Sequence, residues 1–274
     1  MRIDITDDFD LEKIAGSGQC FRWERIGPQE YRIPFQEECL RIKYAGGNSY
    51  DLDCTAEEFE QIWKRYFDLE ENYSVIRSRI DPDDDPYLFW AAEKEKGIRI
   101  LRQDQWETLV SFIVSQNRSI PVIRRSIEML CMKAGKRKKD RAGEEYAVFP
   151  DPKEMISLSD EDLRDCRLGY RSPYITAAAE YVLSRSEEWD MLEKTADAEV
   201  LAKLMKIRGV GIKVATCTAL FGLHRMDLFP VDTRIRNVLE KEYPLGFPLD
   251  KYSPWCGVYQ QYLYAGQTGS LSRT

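Results

Sequence analysis

Polar and apolar positions alternate along the first 54 residues and then change period. The segments CFRWER (20–25), YRIPF (31–35), LRIKY (40–44) and SYDLD (49–53) are rich in aromatic and β-branched residues at alternate positions, which predicts short antiparallel strands. Ile26-Gly27-Pro28 and Gly46-Gly47-Asn48 mark turns between them. From Thr55 the apolar spacing lengthens to about 3.6 residues, the helical period. Thr55 and Glu58 stand in capping-box spacing at that change. Asp81-Pro82-Asp83-Asp84-Asp85-Pro86 interrupts the chain, and helical patterns then run to the end. DQWETLVSFIVSQN (104–117) sets Trp106, Leu109, Val110 and Ile113 on one face, with Asp104 and Glu107 as a cap. A second helix runs from Ser119 to Gly135, a third stops at Gly169, and SPYITAAAEYVL carries Pro173 in its first turn. EVLAKLMKI, KVATCTALFGL, TRIRNVLEKEY and PWCGVYQQYLY complete the series. The expected fold is α+β: a small antiparallel β-rich amino-terminal domain over 1–80, then an all-helical body over 81–274.

Composition narrows the class. The chain has 274 residues, enough for one large domain or two modest ones. It contains no uncharged apolar run approaching the about 18 residues a membrane span needs. The start, MRIDITDDFD, is acidic and reads as neither a signal nor a transit peptide. Seven scattered cysteines without a C-x-x-C spacing suggest no disulfide framework, zinc site or iron–sulfur cluster, so a reducing, cytoplasmic setting is expected. The single histidine, His224, excludes a two-histidine metal site, and its loop position before Pro230 predicts a surface residue.

Net charge is −7, which argues against a polyanionic partner until the charge is mapped. Residues 118–141 hold nine Lys/Arg against Glu128 and Asp140 alone, and residues 201–240 are also net basic. Such runs can be solvated faces; two of them around one motif point to phosphate contact.

That motif is Ile207-Arg208-Gly209-Val210-Gly211-Ile212-Lys213-Val214-Ala215, between two helical patterns. A glycine-rich turn opening a helix lets the backbone approach a phosphate and aims successive N–H groups at it. An ordinary helix–helix turn is the alternative. Lys213 starts the following helix, the end of the dipole that disfavours an ammonium and favours the free amine of a nucleophile. An exposed phosphate contact is the other reading. Asp232, in Phe229-Pro230-Val231-Asp232-Thr233-Arg234, is a good N-cap. A capped carboxylate is also a fixed one, able to stabilise a cation beside it.

These residues resemble the helix-hairpin-helix–GPD DNA glycosylases. GSGQCFRW (16–23), SFIVSQNRSI (111–120), LGYRSPYI (168–175) and GVGIKVATC narrow the likeness to the 8-oxoguanine DNA glycosylase branch. The resemblance runs over nearly the whole chain and implies an amino-terminal sheet of the TBP-like kind and a hairpin at about 200–225. It implies an enzyme that flips 8-oxoguanine out of duplex DNA, excises it through a lysine Schiff base and cleaves the abasic strand by β-elimination. Lys213 matches the nucleophile and Asp232 the essential aspartate. Gly18 matches the glycine whose carbonyl accepts N7–H, Gln260 the reader of the Watson–Crick edge, and Cys217 and Tyr264 the residues that sandwich the base. Asn117 matches the residue that fills the emptied duplex; Tyr170 and Arg171 match a wedge and a reader of the opposite cytosine. Gly209, Gly211 and Arg234 are expected on phosphates. The carbonyls of Met205, Ile207 and Val210 match a monovalent-cation site, with no other cofactor required. The expected partner is duplex DNA containing 8-oxoguanine, bound by a monomer near the nucleoid of a bacterium or archaeon, with no membrane. Two departures stand out: Val122 replaces an arginine that reads the opposite cytosine, and Arg234 replaces a histidine. A glycosylase for another damaged purine, and a non-catalytic hairpin module that binds DNA, are the competing readings.

Overall fold

The computed structural model describes residues 1–267. Five antiparallel strands form one sheet: β1 (Arg2–Asp4), β2 (Glu24–Gly27), β3 (Glu30–Phe35), β4 (Glu38–Gly46) and β5 (Ser49–Leu52), in the order β1-β5-β4-β3-β2. The β3–β4 register pairs Ile33 with Leu40 and Tyr31 with Ile42, so alternate residues enter one core. That core adds Leu11, Ile14, Trp23, Trp63 and Phe67.

Three local features differ from the pattern. Only the end of CFRWER is a strand; Cys20–Trp23 is buried on all sides between the sheet and the helical body. Its apolar residues are needed there whatever its backbone does. β1 and the six-residue helix Leu11–Gly16 are too short for a periodic signal, although Asp10 caps that helix by accepting from the N–H groups of Glu12 and Lys13. The Thr55–Glu58 capping box forms as expected.

The helical body holds the larger core, built on Gln105–Ser115, Ile120–Ala134, Ser172–Ser184, Ile212–Gly222 and Cys256–Gly266. Asp104 caps the first of these, accepting from the N–H groups of Trp106 and Glu107. The third expected helix stops at Asp165, not Gly169, which opens a short 3-10 turn at Gly169–Arg171.

The body is not all-helical. Gly135 ends a helix, and Arg137–Lys139 (β6) then pairs antiparallel with Glu145–Ala147 (β7). This hairpin lies against the sheet: Lys138 reaches Glu37 at 3.0 Å, Arg141 reaches Glu58 at 2.6 Å, and Asp140 accepts from Arg41 at 2.8 Å. Lys136, Lys138 and Arg141 of the first basic run are therefore paired with acidic residues of the amino-terminal half.

His224 is also placed otherwise than expected. Its side chain is only 12% exposed, and Nε2 lies 3.2 Å from Asp68 of the amino-terminal half. Asp68 also accepts from Arg102 Nε at 2.8 Å and from the Tyr73 hydroxyl at 2.9 Å. A partner 156 residues away by number leaves no trace in local pattern. Burial pushes the Asp68 carboxyl up, but its contacts with His224 and Arg102 outweigh it and hold it at about 2.

A carboxyl depressed from 3.8 in this way contributes stability that is complete above the unfolded value and lost as pH falls through about 2. Asp68→Asn should remove about 2 kcal/mol near neutral pH and flatten the stability profile between pH 4 and 2. Denaturant melts of both proteins at stepped pH provide the check; an unchanged acid slope contradicts it.

Candidate active site

The buried segment Ser17–Trp23 joins the two cores and brings the site together. Gln19 is the key side chain: its amide donates to Ser17 Oγ and the Arg99 carbonyl, each at 2.8 Å, and accepts from Leu101 N–H at 2.8 Å. Arg22 donates to Glu107 at 3.2 Å and to the Ala147 carbonyl. So held, Gly18 adopts φ +77°, a conformation that suits glycine. A Cβ there would also come within 3.0 Å of the Tyr264 ring.

Gly18 lies on the wall of a cavity of about 960 Å³ set against the core of the helical body. Lys213, Cys217 and Asp232 share that wall, as do Gln260 and Tyr264. Positions spread over nearly 250 residues of sequence thus converge, because the hairpin helix packs on Gln105–Ser115 and the last helix packs on Pro86–Lys94 and on Thr233–Glu242, the helix that Asp232 caps.

Lys213 is the second residue of Ile212–Gly222 and half-buried. Its Nζ lies 3.3 Å from Ser115 Oγ and 4.8 Å from the centroid of the Phe112 ring, and it forms no salt bridge among the described residues. An amine kept out of ion pairs is free for substrate. Cys217 lies one turn further along. Burial raises its thiol to about 11 against the opposing charge of Lys213, so it is a neutral wall rather than a nucleophile.

Asp232 caps Thr233–Glu242, its Oδ1 accepting from Ile235 N–H at 2.9 Å. Capping fixes one oxygen and leaves the carboxylate on the cavity wall with Lys213. Gln260 is 3% exposed; its amide donates to the Pro230 carbonyl at 2.9 Å and accepts from Gln261 at 3.0 Å. Tyr264 is half-buried, and burial raises its phenol above the usual range. Arg234 is turned inward over this ring, 5.1 Å from its centroid.

At the cavity mouth Asn117 is exposed with φ +51°, which asparagine tolerates better than most residues. Tyr170 is 56% exposed on the facing 3-10 turn. Two arginines tie these loops together: Arg171 donates to the Gln116 carbonyl, and Arg118 to that of Arg167. Arg171 is therefore 4% exposed and stacked on Tyr170 at 4.2 Å, not presented outward. Neither the Arg118 strap nor the Ser115 and Phe112 contacts to Lys213 could be read from sequence, since each depends on a distant loop.

The hairpin turn lies outside the cavity. Gly209 has φ +85°, and a Cβ on it would sit 2.3 Å from Tyr174. Gly211 has open space on its Cβ side, so the absence of a side chain there matters only to something arriving from outside. Of the three carbonyls expected on a cation, that of Ile207 accepts from Val210 N–H at 3.0 Å.

Two family models cover most of the chain: 8-oxoguanine DNA glycosylase, N-terminal domain, over residues 2–109, and HhH-GPD superfamily base excision DNA repair protein over residues 110–246. An N-glycosylase/DNA lyase of Saccharomyces cerevisiae is 29% identical over 266 residues, spanning 86% of this chain and 68% of that protein. The structure of MBOgg1 in complex with a low affinity DNA ligand superposes with a TM-score of 0.91 at 36% identity, covering 98% of this chain and 96% of that one. The Clostridium acetobutylicum 8-oxoguanine glycosylase/lyase, in complex with duplex DNA containing cytosine opposite 8-oxoG, gives a TM-score of 0.89 at 29% identity, covering 99% and 98%.

The two hairpin glycines should respond differently to substitution. Gly209→Ala should cost about 1–3 kcal/mol through strain and the clash with Tyr174. Gly211→Ala should leave stability within about 1 kcal/mol yet weaken binding to duplex DNA of any sequence. Thermal melts and a nucleic-acid titration of each variant separate the effects; equal loss of stability at both sites contradicts this account.

Proposed function

The chain belongs to the HhH-GPD superfamily of base excision DNA repair proteins, in the branch with an 8-oxoguanine DNA glycosylase amino-terminal domain, and from that premise we propose that it excises 8-oxoguanine from duplex DNA and then cleaves the abasic strand as a lyase. The observation that carries this reading is the convergence of an unpaired Lys213, a capped Asp232 and a positive-φ Gly18 on one cavity large enough for a flipped base.

The chemistry follows from those three groups. The free amine of Lys213 attacks C1′ of the flipped nucleotide, and the electron pair of the C1′–N9 bond leaves with the base. Asp232 stabilises the positive charge that the sugar carries as that bond lengthens. After the ring opens, the C1′–lysine bond is a Schiff base, an electron sink that lets the 3′ phosphate depart by β-elimination. The Gly18 carbonyl accepts N7–H of 8-oxoguanine; guanine presents a lone pair there, and the loss of one bond plus repulsion rejects it by a few kcal/mol, on the order of 10²-fold or more. Cys217 and Tyr264 are the faces between which the base lies. Gln260 meets the Watson–Crick edge with the hydrogen-bonding capacity that Pro230 and Gln261 leave it.

On the duplex side, Asn117 takes the place of the extruded base and Tyr170 enters the neighbouring step. Arg171 can read the opposite cytosine only by releasing the Gln116 and Leu168 carbonyls. With Val122 exposed where related enzymes carry an arginine, recognition of the opposite base falls on fewer groups. The amides beside Gly209 and Gly211 hold a phosphate. The carbonyls of Met205, Ile207 and Val210 are the groups in this turn that could hold a monovalent cation, which would supply positive charge next to that phosphate. No helix among the described residues is long and apolar enough to cross a membrane; work on the nucleoid in the cytoplasm of a bacterial or archaeal cell is consistent with that.

Borohydride reduction during turnover tests the lysine route. Wild-type protein on a duplex with one 8-oxoguanine opposite cytosine should give a covalent protein–DNA band, and Lys213→Gln should give none while still retaining the lesion duplex. Excision without any wild-type adduct would instead mean water as nucleophile.

A further inference from the structure

Arg234 is turned into the cavity with its hydrogen-bonding needs unmet. It lies two residues after Asp232, in the first turn of Thr233–Glu242, and is half-buried. Its guanidinium carbon is 5.1 Å from the centroid of the Tyr264 ring. Nη1 is buried with no hydrogen-bond partner, and no ion pair forms at the group among the described residues. Arg171 also has a buried unpartnered Nε, but its Nη atoms donate to the Leu168 and Gln116 carbonyls, and Arg118 donates to Ser126 at 2.8 Å and to the Arg167 carbonyl; among the described residues Arg234 has no such protein acceptor. A guanidinium has five donors and no acceptor, and a buried donor left unmet is costly. An acceptor on a base received by the cavity would meet this donor.

We propose that Arg234 is a catalytic residue for departure of the base: it donates to the flipped base and stabilises the negative charge the base takes on as C1′–N9 breaks. This rests on the glycosylase reading above. Position argues for the base over a phosphate. Arg234 is stacked on Tyr264, Tyr264 Cε1 and its hydroxyl are the atoms a Cβ on Gly18 would meet first, and all three residues line one cavity, so the guanidinium lies inside the frame that holds the base. The phosphate-facing amides belong to the hairpin turn outside the cavity. In the step itself, the C1′–N9 electron pair goes to the base and the Lys213 lone pair forms the new bond to C1′. The amine proton passes to water or to the departing base, and Arg234 keeps all of its protons. Its part is electrostatic, and removal of one donor aimed at developing charge typically slows a reaction on the order of 10²-fold.

Single-turnover rates at saturating enzyme on two duplexes test this. One carries 8-oxoguanine opposite cytosine; the other carries a preformed abasic site, which has every phosphate and no base. Arg234→Gln should slow excision on the order of 10²-fold, leave abasic-strand cleavage unchanged and leave the salt dependence of binding unchanged. Arg234→Lys should recover part of the excision rate. Retained abasic cleavage also shows that the variant folds. Equal losses on both duplexes, with the salt slope reduced by about one, would make Arg234 a phosphate ligand and overturn the proposal. Unchanged excision would overturn it as well. Failure of the wild-type protein to excise 8-oxoguanine would instead strike the glycosylase reading, and is seen before any variant is compared.

Discussion

The site depends on one short segment, Ser17–Trp23, clamped between two hydrophobic cores. Cys20 and Trp23 belong to the amino-terminal core and Phe21 to the helical one, so the segment cannot shift without exposing both. Its polar groups are bound as firmly as its apolar ones. Gln19 mimics a strand partner for residues 99–101, and Arg22 pairs with Glu107 at 4% and 17% side-chain exposure. Burial raises the Glu107 carboxyl while Arg22 opposes the shift. Breaking such a buried pair from one side costs about 3–5 kcal/mol, so the segment is held by interactions that must fail together. The consequence is that a backbone carbonyl, at Gly18, can serve as a recognition group. A difference of one hydrogen on a base is readable only by an acceptor that does not move.

The same arrangement relates the clamp to the nucleophile. Glu107 lies in the helix whose last residue, Ser115, contacts Lys213, and whose following loop carries Asn117. Arg118 and Arg171 fasten that loop to the turn bearing Tyr170. The Gly18 carbonyl, the Lys213 amine and the Asn117–Tyr170 pair therefore share one helix as their common support. The far end of the lysine helix is anchored through His224 to Asp68. The two halves of the chain are thereby joined at the far end of the hairpin's second helix. Negative overall charge does not conflict with a DNA partner in this arrangement. Glu37 and Glu58 of the amino-terminal half pair with the β6–β7 hairpin, and Asp8 and Asp7 with Arg77 and Arg99, while Lys213 and Arg234 in the cavity form no ion pair among the described residues.

Much of the fold was legible because its determinants are local. The β3–β4–β5 meander shows in period-two alternation with glycine turns, and the helices starting at Asp104, Ser119 and Asp232 show in their caps. The elements that escaped are those whose stability comes from elsewhere. Cys20–Trp23 reads as strand because it is apolar, yet it is apolar because two cores cover it. β6 reads as part of a basic run, solvated or phosphate-facing, because the acid that Lys138 pairs with lies across the chain. His224 and Arg171 look like surface residues for the same reason: their partners are 156 and 55 positions away. In the site, Asp232 could be derived as a fixed carboxylate and Lys213 as a lysine at a helix start. The roles of Gly18, Gln260 and Tyr264 came only through resemblance, since a glycine, a glutamine and a tyrosine carry no chemistry that spacing alone reveals. Arg234 was assigned to a phosphate by position in a motif, and its packing on Tyr264 is a fact of three-dimensional structure alone.

The central claim is that this clamp makes the Gly18 carbonyl the reader of the damaged base, and a crystal structure of Lys213→Gln bound to a duplex with one 8-oxoguanine tests it most directly. The account predicts the base extruded into the cavity between Cys217 and Tyr264, its N7–H directed at the Gly18 carbonyl, with residues 17–23 unmoved. An extruded base whose N7 faces another group, or a segment 17–23 that has to rearrange to admit it, would contradict the account.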